Sequence, residues 1–336
     1  MPPDELSGRS KPSTALTRWR DFSVWGVLLL LLIVFGSATR NHAFLSAGNL
    51  VDLLRQSSIL AVAAMGMTLL VLTGGIDLSV GSLMALVGVG LALGGRADES
   101  GAAGWSPWLL VPLGGAAGFV WGGLTATCIT RLQIPPLITT LGTLSIGRGL
   151  VQWITGGESI RNLHASANWE RLLTAGRGSL GPLPTPVVVA AAVVAAVAFL
   201  LRRTIFGIHL YGLGCNEEAC RLAGIDVRRV KLLAYGLAGS IFALAGLMHL
   251  GRTGYAQPDA ARGFELDVVT AVVLGGVSIT GGEGRVNGVL AGVLILGALD
   301  NGLTMLNLQN YQILVVKGAV LLLAVTADRL LARRAD

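Results

Sequence analysis

Ser57-Ser-Ile-Leu-Ala-Val-Ala-Ala-Met-Gly-Met-Thr-Leu-Leu-Val-Leu-Thr73 contains no charged side chain. Gly74-Gly-Ile-Asp-Leu-Ser-Val-Gly-Ser82 follows at once, and a second apolar run then lasts to Gly95. A helix that crosses the hydrocarbon core of a bilayer needs about 20 apolar residues, with a range near 17–25. The first run meets that requirement. The glycines and polar residues after it mark a break, which is tolerated at membrane depth only inside protein or along a cavity.

Working outward, ten such windows appear, at 23–39, 57–73, 78–95, 108–130, 134–155, 186–201, 231–250, 266–280, 286–300 and 311–327. The third, eighth and ninth are interrupted by glycine and polar residues, so some of them are expected to be re-entrant or half-helices. The composition agrees. Of 336 residues, 53% are hydrophobic and only 13% are charged, against about 25% charged in a soluble domain. Disorder needs low hydrophobicity and is excluded. The expected fold is an all-α integral membrane bundle of about ten transmembrane helices. It divides into an N-terminal cytoplasmic segment at 1–22, a transmembrane domain at 23–328 and a C-terminal cytoplasmic tail at 329–336. The first window, with Arg18 and Arg20 ahead of it, also has the outline of a signal peptide, but a chain with many spans is expected to keep it as an uncleaved anchor.

The net charge is +6. No Lys/Arg run exceeds two residues, so the excess does not point to nucleic acid. With ten spans and the N-terminus inside, internal segments hold fifteen basic residues and external ones eight. That bias places both termini in the cytoplasm. The longest connections are then 156–185, external, and 202–230, internal. Val71-Leu-Thr-Gly-Gly-Ile-Asp-Leu-Ser-Val-Gly81 is echoed by Val272-Val-Leu-Gly-Gly-Val-Ser-Ile-Thr-Gly-Gly282, as expected of a duplicated half. Gly114, Gly118 and Gly122, and again Gly288 and Gly292, form small-residue stripes suited to close helix contact.

Enzyme chemistry is not visible. No lysine follows a glycine, so the P-loop Gly-Lys pair is missing, and Gly-x-Ser-x-Gly and His-Glu-x-x-His are missing too. His42, His164, His209 and His249 lie in separate regions, and Cys128, Cys215 and Cys220 make neither a disulfide framework nor a zinc pattern. No cofactor or metal is expected. Ionisable groups inside spans mark pathways when they occur. Asp77 either caps the helix that follows it or gates a pathway. Arg148 either lines a polar cavity or snorkels, and Lys317, near the start of the last window, is expected to snorkel. Asp77, Ser79, Thr143, Arg148 and Asn301 are the candidate pathway or gating residues.

The internal connection carries Gly212-Leu-Gly-Cys-Asn-Glu-Glu-Ala-Cys-Arg-Leu-Ala-Gly-Ile-Asp226. Asn216 is a good N-cap. Glu217 and Glu218 sit in the first turn, where the helix dipole favours negative charge, and Glu217 and Arg221 form an i,i+4 pair. Gly224 suits the C-terminus, and Asp226 can cap the next helix. The pattern predicts a capped helix of about eight residues on the cytoplasmic face. A helix that short is marginal alone, so it is expected to dock on something.

This segment resembles the coupling helix of the ribose-type permeases of bacterial ABC sugar importers, whose pattern Gly-x-Asn-x-x-Ala-x-Arg-Leu-x-Gly-Ile is met by Gly214, Asn216, Ala219, Arg221, Leu222, Gly224 and Ile225. Cys215, Glu218 and Cys220 depart from it. The resemblance extends from about residue 48 to 328. It includes Met65-Gly-Met-Thr68, Leu72-Thr-Gly-Gly-Ile-Asp-Leu-Ser-Val-Gly-Ser82, Leu141-Gly-Thr143 with Arg148-Gly149, and Ala256-Gln-Pro258. It continues through Gly263, Glu265-Leu-Asp267, Ala271-Val-Val-Leu-Gly-Gly276 and Gly281-Gly-x-Gly-x-Val286. The resemblance implies a permease subunit in the inner membrane that moves a monosaccharide or similar polyol. The implied partners are a second permease subunit, cytoplasmic ATP-binding subunits docking through Gly214, Asn216, Glu217, Ala219, Arg221, Leu222 and Gly224, and a periplasmic or lipid-anchored sugar-binding protein. The external 156–185 connection, with Glu158, Arg161, Glu170, Arg171 and Arg177, is a docking surface that such a binding protein could use. The alternative is an ion-coupled secondary carrier centred on Asp77.

Overall fold

The computed structural model describes residues 14–95, 104–161, 170, 173–174, 176–181 and 183–333. The described chain is almost entirely helical: α1 (Thr14–Ala38), a 3-10 turn (Arg40–Leu45), α2 (Ala47–Val71), α3 (Val80–Gly95), α4 (Pro107–Arg131) and α5 (Pro136–Thr155) come first. A two-residue hairpin pair, β1 (Ser179–Leu180) and β2 (Leu183–Pro184), leads into α6 (Thr185–Arg203). Then come α7 (Ile205–Cys215), α8 (Glu217–Leu222), α9 (Val227–Thr253), α10 (Phe264–Leu274), α11 (Val286–Met305) and α12 (Asn310–Arg333).

Local chemistry sets many of these boundaries. Ser46 Oγ accepts from the Asn49 N–H at the start of α2, at 3.3 Å, so the helix begins ten residues before the apolar run quoted above. Pro107 and Pro136 open α4 and α5 at the position where the missing N–H costs nothing. Gly156 and Gly254, at φ +63° and +76°, close α5 and α9 in the left-handed conformation.

All ten windows fall on helices, and five of these helices, α2, α4, α6, α9 and α11, are long and apolar enough to cross a membrane. The eighth window is cut short. α10 ends at Leu274 and the chain turns at Gly275-Gly276. The third window is unbroken over Val80–Gly95, and so is the ninth: α11 runs uninterrupted over Val286–Met305. Its glycines serve packing instead, because Gly288 and Gly292 lie against the carbonyls of Gly275 and Ala271. The 202–230 connection holds two helices, α7 and α8, where the sequence pointed to one. Helix α1 begins within the expected 1–22 segment and α12 runs into the expected tail. Residues 1–13 and 334–336 lie outside the described residues.

The core is centred on α2, 83% of whose apolar window is buried, with α9 and α11 beside it at 61% and 67%. α4 and α6, at 28% and 22%, lie at the rim. α4 and α9 run antiparallel with their backbones nearly touching: a Cβ on Gly122 would overlap the Tyr235 carbonyl, and one on Gly118 the Gly239 carbonyl. This is the close approach that small residues permit.

Candidate functional site

Three features converge on one end of the bundle. The first is α8. Asn216 Oδ1 accepts from the Ala219 N–H at 2.9 Å, Gly224 follows the helix at φ +83°, and Asp226 Oδ1 accepts from the Arg229 N–H at 3.1 Å to start α9. The helix is six residues long, shorter than the eight that the capping pattern suggested. Arg221 pairs with both Glu217 and Glu218 at 3.2 Å, but these pairs are exposed and such pairs stabilise little. Lys231 is better shielded. Its Nζ lies 2.6 Å from Glu217 Oε2 and ties α8 to α9. Cys220 is buried, whereas Leu222 is 82% exposed. An apolar side chain so exposed on a short, pinned helix leaves a contact surface uncovered.

The second feature is the pair of helix breaks at 72–79 and 275–285. The two echoed segments both straddle a helix end, and they touch: the Gly282 N–H donates to the Leu72 carbonyl at 3.0 Å. The third is α7, which leads into α8 and lies against this contact. Tyr211 Oη donates to the Gly284 carbonyl at 3.0 Å. Burial raises the Tyr211 phenol above its ordinary pKa against the opposing effect of Arg202 and Arg285, so it remains a donor at neutral pH.

Farther into the bundle, Asp77 closes a tight side-chain turn rather than capping α3, which begins at Val80 with Ser79 just before it. Asp77 is 2% exposed and its Oδ1 accepts from the Ser79 N–H at 2.8 Å. Ser79 Oγ accepts from Trp121 Nε1 at 3.2 Å, and Thr140 Oγ1 donates to the Ile76 carbonyl at 3.3 Å. The break is therefore held by side chains from α4 and α5, as irregular backbone inside a membrane protein requires. Thr143 Oγ1 bonds within its own helix, to the Thr140 carbonyl.

Arg148 does not snorkel; it is half-buried on α5. Its Nη1 donates to the carbonyls of Pro258 and Ala260, at 3.2 and 2.7 Å, and straps the turn before α10 onto α5. Gly81 makes room for this strap, because a Cβ there would lie 2.6 Å from Glu265 Oε2 and 3.2 Å from Arg148 Nη2. Lys317 likewise does not snorkel. Its Nζ is 2.9 Å from Asp267 and 2.8 Å from Asp300, and the lysine is 14% exposed. These three residues come from three consecutive windows and were not grouped from sequence; the available signal was opposite charges in neighbouring apolar windows. Asn301, next to Asp300, exchanges two 2.9 Å amide hydrogen bonds with Asn49. In the 156–185 connection, Arg177 pairs with Glu170 at 3.3 Å, and Arg171 lies outside the described residues. Among the described residues, no group of three or more His, Cys, Asp or Glu is placed to hold a metal.

Residues 49–325 match the family described as branched-chain amino acid transport system / permease component. The chain is 41% identical over 304 residues to the ribose import permease protein RbsC of Bacillus subtilis (strain 168), covering 90% of this chain and 91% of that protein. It is 32% identical to the D-allose transport system permease protein AlsC of Escherichia coli (strain K12), covering 97% of each. It is 34% identical to the L-arabinose transport system permease protein AraH of the same strain, covering 96% and 95%. No solved structure matches the chain.

Proposed function

The chain belongs to the branched-chain amino acid transport system / permease component family, a multi-pass membrane protein and not an enzyme, and we propose that it is the membrane subunit of an ABC importer for a monosaccharide. A sugar is favoured over an amino acid because relatives aligned over nine-tenths or more of the chain are named for ribose, allose and arabinose.

The observation that carries the reading is α8: six residues, capped at Asn216, pinned through Glu217 to Lys231, with Leu222 standing in solvent. A separate ATP-binding subunit docks there, and Gly214, Asn216, Glu217, Ala219, Arg221, Leu222 and Gly224 build that coupling surface. ATP-driven closure of the partner shifts the population between two arrangements of the bundle. Asp77 and Ser79, both buried, act by holding the 72–79 break rather than by touching solute. Arg148 acts through the 258–260 turn, and Asn301 through Asn49. Thr143 shares α5 and its intermediate exposure with Arg148, but bonds only within its own helix.

Ten crossings fit the helices if α1, α3, α5, α10 and α12 complete the five long ones. α4 runs from Pro107, next to Trp108, to Arg131, and α9, antiparallel to it, starts at Val227 with Arg228 and Arg229 in its first turn. Exposed Trp105, Trp108 and Trp153 thus share one level, and Arg131, Arg228 and Arg229 the other. Aromatic belts and positive cytoplasmic ends support an inner-membrane protein with both termini inside. The outward face of α5 presents Leu141, Gly142, Ser145, Gly149 and Gln152, a surface for a second permease subunit. The 156–185 connection faces the sugar-binding protein.

The test is purification of the tagged chain from its native membranes, followed by uptake of labelled D-ribose, D-allose and L-arabinose in vesicles. Co-purification of an ATPase and ATP-dependent uptake of one of these sugars is the expected result. Recovery of the chain alone, with solute flux that a protonophore abolishes in ATP-free vesicles, would overturn the reading in favour of an ion-coupled carrier.

A further inference from the structure

We propose that Gly214, Gly282 and Leu72 form a three-way backbone junction through which the α7–α8 segment acts on both helix breaks at once, with Gly214 and Gly282 as positioning residues of the transport cycle. The inference rests on the ATP-driven reading above. A Cβ on Gly214 would overlap the Gly282 nitrogen and the Leu72 carbonyl oxygen. A Cβ on Gly281 would lie 2.7 Å from the Gly74 nitrogen and 2.8 Å from the Gly214 Cα. One on Gly282 would lie 2.7 Å from Cys215 Sγ and 2.9 Å from the Cys215 nitrogen. Three chain segments, far apart in sequence, therefore pack main chain against main chain, with Cys215 Sγ the one side-chain atom among these contacts.

Such a contact transmits displacement well. Side chains hop between rotamers and absorb small movements, whereas closely packed backbone cannot be compressed. Two hydrogen bonds give it direction: Gly282 N–H to the Leu72 carbonyl, and Tyr211 Oη to the Gly284 carbonyl, both 3.0 Å. Gly74, Gly281 and Gly282 adopt φ of +75°, +89° and +75°, a conformation that other residues rarely take. One arm of the junction continues through the 72–79 break to Asp77 and α3. The other leads back through the 275–276 turn to α10, which carries Asp267. A shift of α8 by its partner thus reaches both echoed segments through one point, and the two breaks move together.

The test uses the intact complex in nanodiscs with MgATP as the only added ligand. Gly282→Cys, in a Cys128→Ser and Cys220→Ser background, places a second thiol within reach of native Cys215. Oxidation with copper phenanthroline should join them, as mass spectrometry would establish, and lower ATP turnover about ten-fold relative to the same sample reduced with dithiothreitol. Reduction should restore the rate. The comparison is internal to one protein, so a folding defect of the variant does not enter it. Tyr211→Phe, which adds no atoms, should lower turnover several-fold with the ATPase still bound in full. A verified disulfide that leaves turnover unchanged, failure of the two thiols to join, or a Tyr211→Phe complex with unchanged turnover would each overturn the junction. Absence of any ATPase from the wild-type preparation would instead overturn the importer reading on which it rests.

Discussion

Lys317 Nζ stands 2.8 Å from Asp300 Oδ2, and from the same position it reaches Asp267 at 2.9 Å. The lysine is 14% exposed and each carboxylate 24%, so one ammonium holds the start of α10, the end of α11 and the start of α12 together. Removing one member of a buried ion pair costs more than the pair stabilises, because it strands the remaining charge. Lys317→Met should therefore destabilise the protein by about 2 kcal/mol, allowing for partial solvent screening. The triple variant Lys317→Met, Asp267→Asn, Asp300→Asn should regain more than half of that loss. Unfolding in detergent checks both, and equal stability of the wild type and Lys317→Met would count against the arrangement.

Arg148 holds two carbonyls with one guanidinium nitrogen. A lysine keeps the charge but not the planar, oriented donors. Arg148→Lys should loosen the 256–263 turn, read as faster amide hydrogen exchange confined to that turn and the first turn of α10. Exchange unchanged from the wild type would show that the strap is not needed.

Adjacent glycines on α4 offer a controlled contrast. Gly122 packs against the Tyr235 carbonyl, while Gly123 has open space where a Cβ would go. Gly122→Ala should cost about 1–3 kcal/mol through overpacking. Gly123→Ala should leave stability within about 1 kcal/mol of the wild type or raise it, since alanine is the better helix former. Melting temperatures in matched detergent separate the two, and similar losses in both would contradict the antiparallel packing of α4 on α9.

Leu222, at 82% exposed, contributes little to folding. Leu222→Asp should change stability by no more than about 0.5 kcal/mol yet reduce the ATPase recovered with the tagged chain about ten-fold, as expected for a central apolar contact. Asn216→Ala should reduce it too, by fraying α8 at a cost of about 1 kcal/mol. Full recovery with Leu222→Asp would place the docking surface elsewhere.

The fold class and the helices were legible from one chemical fact: a chain with 13% charged residues cannot cover itself with a solvated shell, and its apolar runs have the length a bilayer imposes. The caps at Asn216 and Asp226 were legible because capping is local, reaching only three residues along the chain. The partners of Arg148 and Lys317 were not. Both were expected to snorkel or to face a cavity, because sequence shows an ionisable group in an apolar run but not what packs beside it. Their partners lie 110 and 112 positions away for Arg148, and 50 positions away for one of the two Lys317 carboxylates. The continuity of α11 was not legible for a related reason, since a glycine that breaks an isolated helix is retained where a neighbouring backbone fills the space. The echo between 71–81 and 272–282 was readable as a similarity, but not as a contact. Periodicity, capping and hydropathy are properties of the chain with its near neighbours, and these the sequence determined alone. The meeting of Leu72, Gly214 and Gly282, and of Asp267, Asp300 and Lys317, was decided only by the tertiary structure, because it depends on how rigid helices, once formed, stack against one another.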